Sequence, residues 1–188
     1  MSSQSDKPGQ TRERLERLAR LIRGAGNAEG LVPAQWDVLR YLARANRFSN
    51  SPRAAAHYLG ATKGTISQTI QALQRKGLLR SLGRADDARS VALELTEAGV
   101  AMLEKDPLNA LAGALDELGD KTAKRFHKAV SSLLEGEIAR QDMPVFGVCE
   151  GCSLFLRGDQ PACAGFALRL EARDIGRLCQ KFRPIRDK

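Results

Sequence analysis

Apolar positions recur at helical spacing through most of the first 140 residues. From about Thr11 to Arg23, Leu15, Leu18, Leu21 and Ile22 fall on one stripe, which predicts an amphipathic helix ended by Gly24 and Gly26. A second helix is expected from Pro33, a favoured first-turn residue, carrying Trp36, Leu39, Tyr41 and Leu42. Ser51-Pro52 joins a capping hydroxyl to a proline in the first turn, and the short helix it opens stops at Gly60. From Thr62 to Lys76, Ile66, Ile70 and Leu73 stand at i, i+4 and i+7 and share one face. At about 100° per residue the opposite face holds Gly64, Gln68, Gln71 and Arg75, flanked by Thr65 and Ser67.

The period then changes. Leu78–Leu82 and Val91–Leu95 read as two strands of a hairpin, with residues 83–90 as a long charged tip. From Thr96 the pattern is helical again, and Leu108, Leu111, Leu115 and Leu118 form the seam of a helix that packs on another helix. Gly119-Asp120 breaks it. A further long helix, to about Gln141, carries Phe126, Val130, Leu133, Leu134 and Ile138 on one side. The order predicts a mostly α fold with a small β-hairpin wing: a winged helix-turn-helix with long dimerisation helices.

Composition narrows the function. With 188 residues, 43% of them hydrophobic, the chain can bury one ordinary domain and carry an appendage. No apolar run approaches the ~18–20 residues that span a bilayer, and the first residues lack the apolar stretch of a secretion signal, so a cytoplasmic protein with no membrane role is expected. The net charge of +8 is unevenly spread: residues 40–90 hold ten Lys/Arg against two acids, and residues 91–120 hold one Lys against seven. A basic block beside an acidic one suits a polyanion. A helix that enters a major groove needs an apolar face to hold it and short polar or amide side chains to reach base edges. Gly64, Thr65, Ser67, Gln68 and Gln71 meet that need, Lys63 and Arg75 suit phosphates, and Arg84 and Arg89 at the hairpin tip suit an adjacent minor groove. Asp87 and Asp86 share that tip with Arg89.

Three stretches are similar to MarR-type transcriptional regulators. Residues 59–77, LGATKGTISQTIQALQRKG, resemble the family's recognition-helix segment; residues 87–99, DARSVALELTEAG, resemble its wing and the helix start after it; Pro33-Ala-Gln-Trp36-Asp-Val-Leu39 resembles the start of its second helix. The likeness is specific over about residues 31–100 and looser in the flanking helices. It implies a homodimer, built by the first and last long helices, on a pseudo-palindromic operator in double-stranded DNA. Where the family often has Ser or Thr before Pro-Ala-Gln, this chain has Val32, so a helix cap is missing or supplied elsewhere.

All four cysteines, Cys149, Cys152, Cys163 and Cys179, lie in the last 40 residues, at spacing C-x2-C-x10-C-x15-C. In a reducing compartment such a set reads as ligands rather than disulfides. One C-x2-C pair with two single cysteines suits an iron–sulfur cluster; a structural zinc, usually held by two paired knuckles, is the alternative, and a metal-free thiol switch at Cys149 and Cys152 the third. Val145, Phe146, Val148, Leu154, Phe155, Leu156, Phe166 and Leu168 would supply a dry shell. The segment also resembles the cysteine-bearing extension of a subset of MarR-like proteins.

The expected organisation is a disordered tail over 1–10, a DNA-binding and dimerisation domain over 11–142, and a cysteine-rich extension over 143–188. The expected function is a repressor, not an enzyme, whose operator affinity the four-cysteine centre controls in response to redox state or iron. The expected route is packing of the extension on the dimer helices, which would alter the spacing of the two recognition helices. A MarR-like repressor answering a small aromatic ligand beside an inert zinc is the alternative. A thiol oxidoreductase is weaker, because no βαβ pattern surrounds the C-x2-C.

Overall fold

The computed structural model describes residues 7–84 and 87–185, and side chains except those of residues 84–90. The first helix, α1 (Lys7–Ala25), begins four residues earlier than the periodicity implied, so residues 7–10 of the expected disordered tail are helical; Pro8 sits in the first turn, where its missing N–H costs no intrahelical bond. Next come α2 (Pro33–Arg44), α3 (Pro52–Leu59) and α4 (Lys63–Arg75). Side chains cap them as the polar residues suggested: Ser51 Oγ accepts from the Ala54 N–H at 3.2 Å, and Thr62 Oγ1 from the Thr65 N–H at 3.1 Å. At the start of α2, Val32 has no side-chain acceptor. Instead Gln35 Oε1 reaches back to the Val32 N–H at 3.2 Å, half of a capping box.

Strands β1 (Leu79–Arg84) and β2 (Asp87–Leu95) pair antiparallel, with a register irregularity between Gly83 and Arg84. The ladder runs well into the expected loop, because backbone groups pair whether or not the side chains alternate in polarity. After the wing the helical stretch is not continuous. It divides into α5 (Glu97–Glu104) and α6 (Asn109–Asp116), separated around Pro107, and is followed by α7 (Asp120–Arg140). Proline removes a helical N–H and restrains the residue before it, which explains the break.

One core holds α2 to its neighbours. Trp36, Val38 and Leu39 are fully buried, joined by Ala54, Ala55, Ile66, Ile70, Leu73, Leu79 and Leu93 from α3, α4 and the wing. Asp106 ties the α5–α6 junction to this core, accepting from Arg40 Nε at 2.7 Å and Arg40 Nη2 at 2.6 Å while also taking the Leu108 N–H at 2.8 Å. By contrast, α1, α6 and α7 bury no residue within the chain. No helix among the described residues is long and apolar enough to cross a membrane.

Residues 143–185 form a small lobe: a 3-10 turn at Cys149–Gly151, a three-stranded sheet of β3 (Phe155–Leu156), β4 (Ala162–Cys163) and β5 (Leu168–Arg169), and the short helix α8 (Ala172–Ile175). It docks on the end of α2 and the α2–α3 connection. Leu178 enters the main core, Phe146 meets Tyr41 and Tyr58 edge-on, and Phe48 stacks on Phe166 at 4.4 Å between centroids. Arg47 meets Glu171 at 2.5 Å and the buried Asp174 at 3.2 Å. Within one chain the docking face is therefore the end of α2, the α2–α3 connection and α3, where the expected face was the dimer helices.

The Arg40–Asp106 pair is open to a stability test. Burial alone would push the Asp106 carboxyl up, but the Arg40 and Leu108 hydrogen bonds outweigh it and hold the group below its ordinary value of 3.8. A carboxyl held low stabilises the fold above its unfolded value, and that contribution fades as pH falls through the lower folded value. Asp106→Asn should cost about 1–3 kcal/mol at pH 7 in urea unfolding, with the gap to wild type closing below about pH 4.

Candidate nucleic-acid interface and cysteine centre

The apolar face of α4 is used up by the core. Ile66, Ile70 and Leu73 are buried, with Thr69 beside them, its hydroxyl donating to the Thr65 carbonyl at 2.8 Å. Every residue of α4 singled out from the pattern, Lys63, Gly64, Thr65, Ser67, Gln68, Gln71 and Arg75, is exposed. A buried face three residues wide fixes the helix rigidly, and its outer face then presents amides, hydroxyls and two cations to solvent. Gly64 has no internal role: a Cβ there would meet only Thr62 Oγ1, at 3.9 Å. Its missing side chain lowers the profile of the exposed surface instead. Gln74 Nε2 donates to Ser81 Oγ at 2.8 Å and Lys76 Nζ to the Gly30 carbonyl at 2.9 Å, so both side chains tie the helix end to its neighbours. Arg84 and Arg89, with Asp86 and Asp87, belong to the tip whose side chains lie outside the described residues.

The four cysteines come together. Cys149 opens the 3-10 turn and its carbonyl accepts the Cys152 N–H at 2.9 Å; Cys163 lies in β4; the Cys179 N–H donates to the Gly147 carbonyl at 2.9 Å. All four are free thiols and line one small cavity with Val148, Phe155, Leu170, Lys181 and Phe182. Burial pushes the Cys149 thiol up to about 11, helped by Cys179, then Cys152 and Cys163. The Arg183 N–H donates to Cys152 Sγ at 3.4 Å. Gly147 is required here: a Cβ would lie 2.6 Å from the Phe182 ring, which closes the cavity.

Four thiols, an apolar wall, an amide aimed at sulfur and a lysine at the rim match the donor chemistry of a thiolate-ligated metal or cluster. As the side chains stand, no group of three or more His, Cys, Asp or Glu among the described residues is arranged to hold a metal ion. The space between them, about 10 Å³, admits roughly one water. The lobe therefore gathers four thiols around one cavity without presetting a coordination geometry. His57 is half-buried in α3, His127 is exposed on α7, and neither lines the cavity. Sequence reasoning missed Gly147, Phe182 and the Arg183 N–H. Lys181, which the sequence left between offsetting an anionic cluster and belonging to a solvated tail, lines the cavity.

A cleft of about 490 Å³ opens between α2, β2, α5 and the lobe, walled by Leu42, Leu93, Leu95, Val100 and Leu103 and by Arg173 and Arg177 of the lobe.

Comparison with known proteins places these features. Residues 29–90 match the model of the MarR family. The HTH-type transcriptional repressor YetL of Bacillus subtilis (strain 168) is 27% identical over 109 residues, which make up 56% of this chain and 65% of that protein. The chain thus matches slightly under two thirds of that relative's length. Among solved structures, a MarR transcriptional regulator from Methanosarcina mazei Go1 superposes with a TM-score of 0.55 at 22% identity, over 70% of this chain and 96% of its own. The S. aureus MepR–DNA complex superposes with a TM-score of 0.54 at 16% identity, over 66% of this chain and 96% of MepR. At these identities the likeness is one of fold.

Since Gly64 is free of internal contacts, Gly64→Ala should leave the melting temperature unchanged or raise stability by up to ~1 kcal/mol, the difference in helix propensity, in a thermal unfolding measurement.

Proposed function

We propose that this chain, whose residues 29–90 match the model of the MarR family, is a homodimeric DNA-binding transcriptional regulator, acting as a repressor, whose operator affinity is set by its C-terminal four-cysteine centre. The observation that carries the DNA-binding part is the division of α4: Ile66, Ile70 and Leu73 hold it on the domain, and Lys63, Gly64, Thr65, Ser67, Gln68, Gln71 and Arg75 are all exposed. Gln68 and Gln71 would read base edges in the major groove, Lys63 and Arg75 would take phosphates, and Arg84 and Arg89 would reach the minor groove from the wing.

The exposed apolar stripes on α1 (Leu15, Leu18, Leu21) and α7 (Phe126, Val130, Leu133, Leu134) support the dimer, since a second copy would cover them. Pairing two α4 helices matches a pseudo-palindromic operator with half-sites about 34 Å apart.

Cys149, Cys152, Cys163 and Cys179 would hold the centre, and an iron–sulfur cluster is the reading that gives it a signal: it would add a group that responds to oxidants and iron supply. The apolar wall of Phe155, Leu170 and Phe182 supports it by limiting water at the sulfurs. This chain's own contribution is to gather the thiols, to donate the Arg183 N–H to Cys152 sulfur and to bring Lys181 to the rim, where its charge offsets an anionic group.

Two measurements test the proposal. On a duplex enriched from a random pool, Gly64→Leu and Gln68→Ala should each weaken binding at least about tenfold while dimer mass is kept; Arg75→Ala should lower affinity for all sequences and reduce the salt slope by about one. Unchanged affinity in all three would remove α4 from the interface. Anaerobically purified protein should carry visible charge-transfer absorbance with iron and sulfide. Colourless protein with one zinc per chain would replace the cluster by zinc and leave the DNA reading intact.

A further inference from the structure

We infer that Leu178-Cys179-Gln180 links the cysteine centre to the root of the wing within the same protomer, through residues 44–50. The inference rests on reading the cysteines as a ligand-binding centre and α4 with the wing as the DNA-reading surface. It replaces a change in dimer spacing with a change inside each DNA-binding unit.

The three residues face opposite ways. Cys179 lines the cysteine cavity. Its neighbours on both sides are held by the DNA-binding unit. Leu178 is buried in the main core, its N–H donates to the Arg44 carbonyl at 2.8 Å, and its carbonyl accepts the Asn46 N–H at 3.0 Å. The Gln180 N–H donates to Ser49 Oγ at 2.9 Å and its Nε2 to the Phe48 carbonyl at 2.5 Å. Leu178 thus forms a parallel bridge with Ala45, while Cys179 next to it bridges Gly147 of the lobe and Gln180 turns back to Ser49 and Phe48. Successive residues of an extended chain face opposite sides, so one segment can serve both places. The sulfur of Cys179 is two bonds from the backbone, and any displacement of that sulfur is felt at both flanking attachments.

Residues 44–50 in turn hold the wing. The Asn50 carbonyl accepts the Leu93 N–H at 2.7 Å, and Asn50 Nδ2 donates to the Leu93 carbonyl at 3.1 Å, so one residue takes both backbone groups of the buried Leu93 in β2. The same end of the connection is fixed further: the Tyr41 hydroxyl donates to the Ser49 carbonyl at 2.6 Å, and Ser51 caps α3. From Cys179 the path to β2 is Gln180, Ser49, Asn50 and Leu93, each step a hydrogen bond or a peptide bond. None of these residues is a cysteine or lies on the exposed face of α4.

The test uses full-length protein, loaded with ferrous iron and sulfide, or with zinc where metal analysis finds zinc, and the same protein stripped by chelator. Gln180→Ala and Ser49→Ala each remove one attachment. In wild type, stripping should change the Kd for the enriched duplex about tenfold or more and raise amide hydrogen exchange at residues 44–50 and at Leu93. In both variants metal content should stay at the wild-type level while the loaded-to-stripped Kd ratio falls below about threefold. Variants that keep the wild-type ratio overturn the link, as does loss of metal from both, which would make the attachments part of the centre. If stripping leaves the wild-type Kd unchanged yet still loosens residues 44–50 and Leu93, the link stands and the regulatory reading falls. If exchange there is insensitive to metal, the link itself is wrong.

Discussion

A helix with six of its twelve residues buried must find partners on nearly every side, and α2 does: α1, α3, α4, α5, β2 and the C-terminal lobe all touch it. Burying Trp36, Val38, Leu39, Tyr41 and Leu42 in one close-packed core supplies the main apolar contribution to the unit. It also sets positions, because a core at crystal-like density lets no neighbour shift alone. The orientation of α4 follows from Ile66, Ile70 and Leu73 seated in this core, and the wing from Leu79 and Leu93. The outer face of α4 can then be polar without cost to the fold. The same helix carries Arg40, whose grip on Asp106 fixes where α5 ends and the exposed helices begin.

The lobe depends on the same core. A segment of about forty residues has little apolar surface of its own and generally needs a metal, disulfides or a larger neighbour to fold. Here Leu178 borrows the neighbour's core, and Phe48, Arg47 and Ser49 provide a stacked ring, an ion pair and a hydrogen-bond acceptor beside it. Gathering four thiols behind an apolar wall raises the cost of ionising Cys149, where burial and three neighbouring sulfurs act together. A cation at the sulfurs would relieve such crowding, which is what the proposed centre would supply. The helices that bury nothing, α1 and α7, complete the contrast: their leucines lie open in the single chain and form a surface that a second copy can close.

Much of this was legible along the chain. The i, i+4, i+7 spacing of Ile66, Ile70 and Leu73 foretold which face of α4 is buried, and Ser51 and Thr62 marked the helix starts that their side chains cap. These are local effects, governed by helix geometry and by hydrogen bonds spanning three residues. Pro107 and Pro8 were equally local signals whose consequences, a helix break and an earlier helix start, the apolar stripe alone concealed. The strands lengthened into the tip because backbone pairing leaves no trace in side-chain alternation.

By itself, then, the sequence determined a polar-faced helix on an apolar seat, a wing after it, and four cysteines in one terminal segment. Periodicity and spacing carry that much, since each concerns residues within a few turns of one another. Only the tertiary structure decided that Cys163 and Cys179 join the C-x2-C pair in one cavity, that Gly147 leaves room for Phe182, and that Gln180 is tied to Ser49 and Phe48. Those contacts join distant residues through backbone amides, carbonyls and ordinary side chains. Such groups are alike in every segment of the chain, and only the folded core selects which of them meet.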